Sequence, residues 1–274
     1  WRVAVMELVK LTGKDGARAN VSSNGAQVLS FVPAGSPTDV LFVSPNAVLN
    51  KAGVPVRGGI PVCWPCFGPS PTVGQHGFAR KSQWSVTEQE NASVTMELAC
   101  KSLPNWPYDC TLSLKTSLED GALRQELTAT NLSSEPMSFT TCFHNYFAID
   151  DVATAAVEGL GPGLYIDKPS GGTTQWDLAA STTLKGEVDR VYLSPPTREI
   201  RVRGAVGNRT VVVTLGEHMD CTLWQPGPAR SAQIGDLLKH DGFVCVEPVT
   251  FGQPIRVAPG ASATVTQEIG VEAA

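Results

Sequence analysis

The stretch CTLSLKTSLEDGALRQELTATN, residues 110–131, decides the fold class of this chain. Apolar and polar side chains alternate over residues 110–118 and again over residues 122–131, a pattern typical of β-strands with one buried face. The connection Glu119-Asp120-Gly121 is short and rich in turn-forming residues. We therefore expect the two strands to pair antiparallel, as a hairpin.

The same period of two recurs along most of the chain, with turn-forming residues between the segments. It predicts further strands near residues 3–11, 17–21, 27–32, 40–43, 84–87, 93–100, 137–147, 153–158, 163–167, 190–193, 199–202, 210–215, 221–224, 243–248 and 263–269. One short helix is predicted at residues 229–239, where Ile234, Leu237 and Leu238 share a face. Because helices do not alternate with the strands, a parallel sheet is disfavoured. We predict an all-β protein, a large antiparallel β-sandwich in which residues 1–274 form a single domain.

Composition and charge argue against several classes of function. The 274 residues are 42% apolar and 17% charged, as in a globular protein with a sizeable core. The net charge is −5, from 21 basic and 26 acidic residues without a basic cluster, so we expect no nucleic acid and no membrane as partner. No apolar run approaches the ~20 residues that span a bilayer. We expect a cytoplasmic protein, and a removed organelle-targeting segment before Trp1 stays open.

The seven cysteines do not suggest a disulfide framework. Their number is odd and most lie in apolar or strand-like segments, which favours reduced thiols in the core. Cys63 and Cys66 form a CxxC motif, but the surrounding prolines argue against the helix that a thioredoxin-like site requires. A zinc site lacks a second close pair of Cys or His residues. We predict no metal and no cofactor; a thiol or metal protein built on Cys63 and Cys66 is kept as a third hypothesis.

Two adjoining segments form a long irregular loop: RGGIPVCWPCFGP at residues 57–69 and QHGFAR at residues 75–80. Their glycines and prolines rule out a helix or a central strand. Long ordered loops in compact domains commonly bind ligands, and the arginines at the two ends, Arg57 and Arg80, indicate an anion. The alternative is a packed surface loop whose Trp64, Phe67 and Phe78 cover the edge of the core.

Two residues are candidates for acid–base chemistry. In residues 137–147 the phenylalanines occupy odd positions, so His144 points to the other face of the strand. There it is either an acid–base residue in a cleft or a structural histidine. Glu247 follows a continuously apolar run and precedes Pro248, which predicts a carboxylate at a strand end, on the rim. Such a carboxylate either accepts a hydrogen bond from a donor, has a raised pKa, or is simply solvated. Asp189 is a weaker candidate, because it could lie in an exposed turn.

The order of five motifs resembles a known family. Besides the two loop segments, the chain carries CFHNYF at residues 142–147, DRVY at 189–192 and FVCVEP at 243–248. This set is similar to that of the hexose-6-phosphate mutarotases, the glucose-6-phosphate 1-epimerase branch of the aldose 1-epimerase family. The resemblance covers about residues 57–248, with compatible flanks.

The resemblance implies a β-sandwich of the galactose mutarotase type that binds its sugar on a concave sheet face. His144 and Glu247 would be the catalytic pair that interconverts the α and β anomers of a hexose 6-phosphate. Arg57 and Arg80 would hold the phosphate, and His76, Asp189 and Gln75 would contact the sugar or line the pocket. We expect a monomer with a small-molecule substrate. A non-catalytic sugar-phosphate-binding protein of the same fold is the alternative.

Overall fold

The computed structural model describes residues 7–49, 51, 53–237 and 239–272. One short α-helix, α1 (Gly227–Ser231), and one 3-10 turn (Ala79–Lys81) lie in these ranges, and none of their helices is long and apolar enough to cross a membrane. The strands, in chain order, are β1 Leu8–Thr12, β2 Arg18–Ser22, β3 Gln27–Val32, β4 Val62–Cys63, β5 Ser85–Gln89, β6 Ser93–Cys100, β7 Cys110–Glu119, β8 Ala122–Asn131, β9 Met137–Phe139, β10 Cys142–Phe143, β11 Tyr146–Ala148, β12 Ala156–Glu158, β13 Gly163–Asp167, β14 Thr173–Asp177, β15 Ser181–Thr183, β16 Val188–Tyr192, β17 Glu199–Ala205, β18 Arg209–Leu215, β19 Asp220–Gln225, β20 Phe243–Val249, β21 Ile255–Val257 and β22 Ser262–Glu272.

Two large antiparallel sheets dominate the described part of the chain. The first has the order β14-β13-β16-β19-β20-β10-β4, with β11 also paired to β20; the second has the order β15-β12-β17-β18-β22-β8-β7-β6-β5. Two small sheets, β1-β2-β3 and β21-β9, complete the structure. The prediction of an all-β, antiparallel sandwich is confirmed, and the hairpin of residues 110–131 is β7 paired with β8.

Most predicted strands are present, although several differ in extent. The strands predicted at residues 27–32, 93–100, 122–131 and 163–167 match at both ends, whereas β4, β9–β11, β14, β15 and β21 were missed or merged. Residues 40–43 form only isolated bridges, through Leu41 and Val43. The helix predicted at residues 229–239 is a single turn. Residues 3–6 of the first predicted strand and Leu238 of the predicted helix lie outside the described residues.

Strand β20 divides its side chains between the core and the opposite face of the first sheet. Val244 and Val246 are fully buried in a core that also contains side chains of the second sheet, such as Leu127 and Val213. Cys245 and Glu247 alternate with them and therefore point to the other face of the sheet. The functional side chains discussed below lie on that outer face.

Pro248 interrupts the hydrogen bonding between β20 and the neighbouring strand. Cys142 pairs with Val249 and Tyr146 pairs with Cys245, so in the same register His144 lies opposite Glu247. Proline has no amide hydrogen to donate, and the carbonyl of Phe143 instead accepts a hydrogen bond from the amide of Asn145, at 3.0 Å. The strand predicted at residues 137–147 therefore breaks at His144. Contrary to prediction, β20 itself continues to Val249, and Glu247 is buried rather than placed on the rim.

The side chain of Asn145 bridges this break and ties the two large sheets together. Its amide nitrogen donates to the carbonyl of Val246 at 2.9 Å and to Gln267 Oε1 at 2.8 Å. Gln267 returns a hydrogen bond to Asn145 Oδ1 at 3.0 Å and donates to Gln125 Oε1 at 2.8 Å. Gln267 and Gln125 belong to β22 and β8 of the second sheet, and all three amides are buried. This buried amide network spans the core.

We expect Gln267→Ala to lower the free energy of unfolding by about 3 kcal/mol, because it leaves buried amide groups of Asn145 and Gln125 unpaired and creates a cavity. Urea denaturation measures the change. Thr264→Ala is the matched control, since Thr264 bonds an exposed hydroxyl of Thr128 on the outer face of the same sheet, and its effect should stay within about 0.5 kcal/mol. Equal, small effects of both variants would contradict a structural role for the network.

Candidate active site

All seven residues predicted for the site line one cavity of about 610 Å³ on the outer face of the first sheet. They are Arg57, Gln75, His76, Arg80, His144, Asp189 and Glu247. Strands β16, β19 and β20 form the floor, which carries Asp189, Thr222, Trp224 and Glu247. The loop of residues 57–80 and the loop between β13 and β14 form walls. The arrangement brings together residues that are up to 190 positions apart in the sequence (247 − 57).

The loop of residues 57–80 is anchored to the rest of the fold, beginning with β3 of the small three-stranded sheet. The side chain of Gln27 donates to the carbonyl of Gly58 at 2.6 Å. Gly77 has a φ of +68°, and a Cβ there would lie 2.1 Å from the carbonyl oxygen of Trp64, so glycine is required for this close approach. Trp64 is buried and packs against Phe78. The core-covering role considered for this loop therefore holds for Trp64 and Phe78, while Phe67 lines the cavity.

His144 and Glu247 meet at the floor of the cavity. Nδ1 of His144 lies 3.2 Å from Oε1 of Glu247, although their alignment does not make a hydrogen bond. The imidazole is stacked on the ring of Tyr146, with centroids 4.7 Å apart and planes 4° from parallel. The edge of Trp224 closes another side, 5.8 Å from the imidazole. The histidine is therefore fixed in orientation by aromatic packing.

Burial moves the pKa values of the two residues toward their uncharged forms. Burial lowers the pKa of His144 well below its ordinary value, and the neighbouring side chains of His76 and Arg57 lower it further. The pKa of Glu247 is raised well above its ordinary value, chiefly by burial. Both shifts arise because a charge is poorly solvated in this environment. A pair whose pKa values are moved toward each other can exchange a proton at modest cost.

Cationic side chains surround the cavity opening. Arg57 donates from Nε to Asp236 at 3.0 Å and from Nη1 to the hydroxyl of Tyr146 at 3.1 Å. Arg80 donates from Nη2 to the carbonyl of Gln75, while its buried Nε has no partner. Lys168 pairs with Asp189 at 2.9 Å. Arg230 also lines the cavity, as does the acidic side chain of Glu187.

His76 and Gln75 stand at the turn of the binding loop. The amide of Gly68 donates to Nδ1 of His76 at 3.2 Å, and the side-chain nitrogen of Gln75 lies 2.9 Å from His76 Nε2. Gln75 is exposed at the opening. Asp189 lies in strand β16 and not in the exposed turn that its sequence context also allowed.

Four buried polar atoms of cavity-lining residues lack a hydrogen-bond partner in the described part of the chain: Nδ1 of His144, Nε of Arg80, Oγ1 of Thr222 and Oδ1 of Asp189, the last of which is ion-paired with Lys168. Buried polar groups are normally paired, and an exception calls for an explanation. All belong to residues that line the same cavity, where a polar ligand can supply partners to them.

The lining residues that sequence reasoning did not name as site residues include Lys168, Glu187, Thr222, Trp224 and Arg230. Thr222 and Trp224 could have been found from strand parity once β19 was known to pair with β20, because Thr222 is directly opposite Glu247. No comparable signal exists for Lys168, which sits in a loop.

Metal binding is disfavoured by charge. His144, Cys245 and Glu247 are the group of described residues whose potential ligand atoms lie within 4.8 Å of one another. The positive charges of Arg57, Arg80 and Lys168 act on His144 and oppose a divalent cation there. Cys63 is buried and Cys66 only partly so, and they join no such group in the described ranges. We assign no metal site.

Solved structures of mutarotase-like proteins share this architecture. A crystal structure of a candidate mutarotase from Salmonella typhimurium gives a TM-score of 0.87 at 30% sequence identity, covering 98% of this chain and 91% of that one. A galactose mutarotase-like protein from Lactobacillus casei ATCC 334 gives a TM-score of 0.80 at 17% identity, covering 97% and 100%; this second likeness shows the fold alone. The chain is a β-sandwich of the galactose mutarotase type.

Sequence comparison defines the family. Residues 7–270 match the model of the family described as aldose 1-epimerase. A Salmonella typhimurium protein is 34% identical over 265 residues, covering 93% of this chain and 87% of that protein, and a Cenchrus ciliaris protein is 30% identical over 271 residues, covering 93% and 82%. Both are described as candidate glucose-6-phosphate 1-epimerases. This chain belongs to the aldose 1-epimerase family and is an isomerase of the epimerase type, as the resemblance implied.

We expect Glu247→Gln to abolish activity and yet stabilise the folded protein by about 1 to 4 kcal/mol at pH 8, because it removes a buried charge. Since the pKa is raised from 4.5 in the folded state, the unfolded chain releases this proton at lower pH than the folded chain. The gain should therefore grow as pH rises above 4.5 and vanish below it. Urea denaturation between pH 4 and pH 8 measures it.

The control for this variant is Glu268→Gln, which changes an exposed carboxylate on β22. Its effect should stay within about 0.5 kcal/mol at every pH. A Glu247→Gln protein that is less stable than wild type at pH 8 would show that the carboxylate is well compensated in the folded state.

Proposed function

We propose that this protein is a hexose-6-phosphate mutarotase, which interconverts the α and β anomers of glucose 6-phosphate and similar hexose 6-phosphates. The observation that carries the proposal is the facing pair of His144 and Glu247, 3.2 Å apart in a cavity that Arg57, Arg80 and Arg230 also line. The descriptions of the two curated relatives, at 34% and 30% identity, support this substrate.

The reaction opens and recloses the sugar ring by two proton transfers. Glu247 takes the proton of the anomeric hydroxyl while His144 protonates the ring oxygen, so the C1–O5 bond breaks and C1 becomes an aldehyde. Rotation about the C1–C2 bond presents the other face of the aldehyde to the O5 hydroxyl. The ring then closes as His144 takes the O5 proton back and Glu247 returns its proton to O1.

Substrate charge favours the acid form of His144. In the ligand-free site, nearby arginines lower the pKa of His144, which disfavours the imidazolium form that acts as the acid. A bound phosphate dianion offsets the positive charges of Arg57 and Arg80 and so favours a protonated His144. Phosphorylated sugar therefore binds and prepares the acid in one step. Glycosidases usually need two carboxylates that flank the reacting bond. The proposed pair here is one histidine and one carboxylate.

Catalysis is tested by following pure α-glucose 6-phosphate toward anomeric equilibrium, with NMR exchange spectroscopy. We expect wild type to accelerate the exchange and both His144→Ala and Glu247→Ala to lose at least about 100-fold of that acceleration, the range for a positioned acid or base. A wild type that binds the sugar phosphate but exchanges at the uncatalysed rate would favour the alternative, a non-catalytic sugar-phosphate-binding protein.

The phosphate contact is tested with Arg80, whose buried Nε lacks a partner, whereas Arg57 is already bonded to Asp236 and Tyr146. We expect Arg80→Ala to lower kcat/KM for glucose 6-phosphate by about 10- to 100-fold, the loss of charge-assisted hydrogen bonds. The same variant should leave the rate with unphosphorylated glucose nearly unchanged.

Lys81→Ala is the matched control for this experiment. Lys81 adjoins Arg80 in the same 3-10 turn and carries the same charge, but it is exposed and does not line the cavity. An equal loss with both sugars in Arg80→Ala would argue that Arg80 supports the loop instead of binding phosphate.

A further inference from the structure

The carboxylate of Glu247 is held by an unusual donor. Its Oε2 accepts a hydrogen bond from the thiol of Cys142 at 3.2 Å. This is the one hydrogen bond that the described residues make to the carboxylate, and both side chains are buried. A carboxylate normally accepts several hydrogen bonds from backbone or side-chain N–H groups. The orientation of Glu247 therefore depends on a single sulfur contact.

Strand geometry places the thiol where it can act on Glu247. Cys142 pairs with Val249 and lies two residues before His144, so its side chain projects to the same face as the imidazole. Burial raises the pKa of Cys142 well above that of an ordinary thiol. The sulfur thus keeps its hydrogen and serves as a donor, not as a nucleophile.

The two oxygens of Glu247 have different surroundings. Oε2 faces Cys142, while Oε1 lies 3.2 Å from Nδ1 of His144 and belongs to the cavity floor. A buried carboxylate with one oxygen anchored cannot rotate freely about its terminal torsion. The other oxygen is then presented in one direction, which is the requirement for a general base.

We propose that Cys142 is a positioning residue for the base: its thiol anchors Oε2 of Glu247, so that Oε1 is the oxygen that takes the proton of the anomeric hydroxyl. This inference rests on the proposed function of the site. It assigns Cys142 no contact with the substrate and no covalent step.

The test compares Cys142→Ala, which removes the donor, with Cys142→Ser, which keeps a hydroxyl donor at the same place. With α-glucose 6-phosphate as substrate, we expect Cys142→Ala to lower kcat by about 10- to 100-fold, the scale for a misplaced catalytic group. KM should change less than threefold, since the phosphate contacts are untouched. Cys142→Ser should restore kcat to within about fivefold of wild type.

Cys221→Ala is the matched control. Cys221 is equally buried, in strand β19 on the other side of β20, but it packs into the core between the sheets. Its kcat should equal that of wild type even where its unfolding free energy falls. Urea denaturation of all three variants separates stability from activity. A Cys142→Ala enzyme with wild-type kcat, or one whose loss Cys142→Ser does not reverse, would overturn the proposal.

Failure of this inference is distinguishable from failure of the proposed function. Lack of catalysis by wild type refutes the mutarotase assignment and, with it, the role of Cys142. An active wild type with an equally active Cys142→Ala variant refutes the positioning role alone.

Discussion

The architecture of the site depends on one missing amide hydrogen, that of Pro248. In an uninterrupted ladder, β10 would continue directly into β11, and the side chain of Asn145 would not need to bond a backbone carbonyl. Because proline cannot donate, the backbone between Phe143 and Tyr146 leaves the ladder, and the Asn145 side chain takes over the pairing with Val246. The same side chain is hydrogen-bonded to Gln267 of the other sheet, which in turn donates to Gln125. Asn145, which follows His144, and Val246, which precedes Glu247, thus both belong to one buried polar network. The network fixes the backbone next to each member of the pair.

Burial gives the site its chemistry and makes it costly for stability. Glu247 and His144 are both shifted toward their neutral forms, because burial disfavours a charge on either side chain. The rings of Tyr146 and Trp224 pack against the imidazole and restrict its orientation. A residue chosen only for stability at position 247 would be apolar or uncharged. The carboxylate is retained at the expense of folding free energy, as is common at active sites.

The sequence was sufficient to predict the class of fold and the members of the cavity, but not the local geometry. Alternation and turn residues identified the antiparallel hairpin of β7 and β8 because these signals are local. Parity correctly placed His144 on the face opposite the phenylalanines, even though the strand that carries it is broken. The burial of Glu247 was not predicted, because a proline usually marks the end of the strand that contains it. Here β20 continues through Pro248, and the adjacent strand is interrupted instead. Lys168 and the contact of Cys142 with Glu247 arise from long-range packing, which period and motif do not encode.

The proline-rich loop has a second consequence, for association of the folded protein. It supplies β4, the last strand of the cavity-bearing sheet, which is only two residues long and lies between Pro61 and Pro65. An edge this short, flanked by residues without amide hydrogens, is a poor template for a strand of another molecule. The segment that shapes the binding cavity therefore also protects this edge of the sheet against edge-to-edge aggregation. Substitutions that replace its prolines would lower solubility as well as ligand recognition.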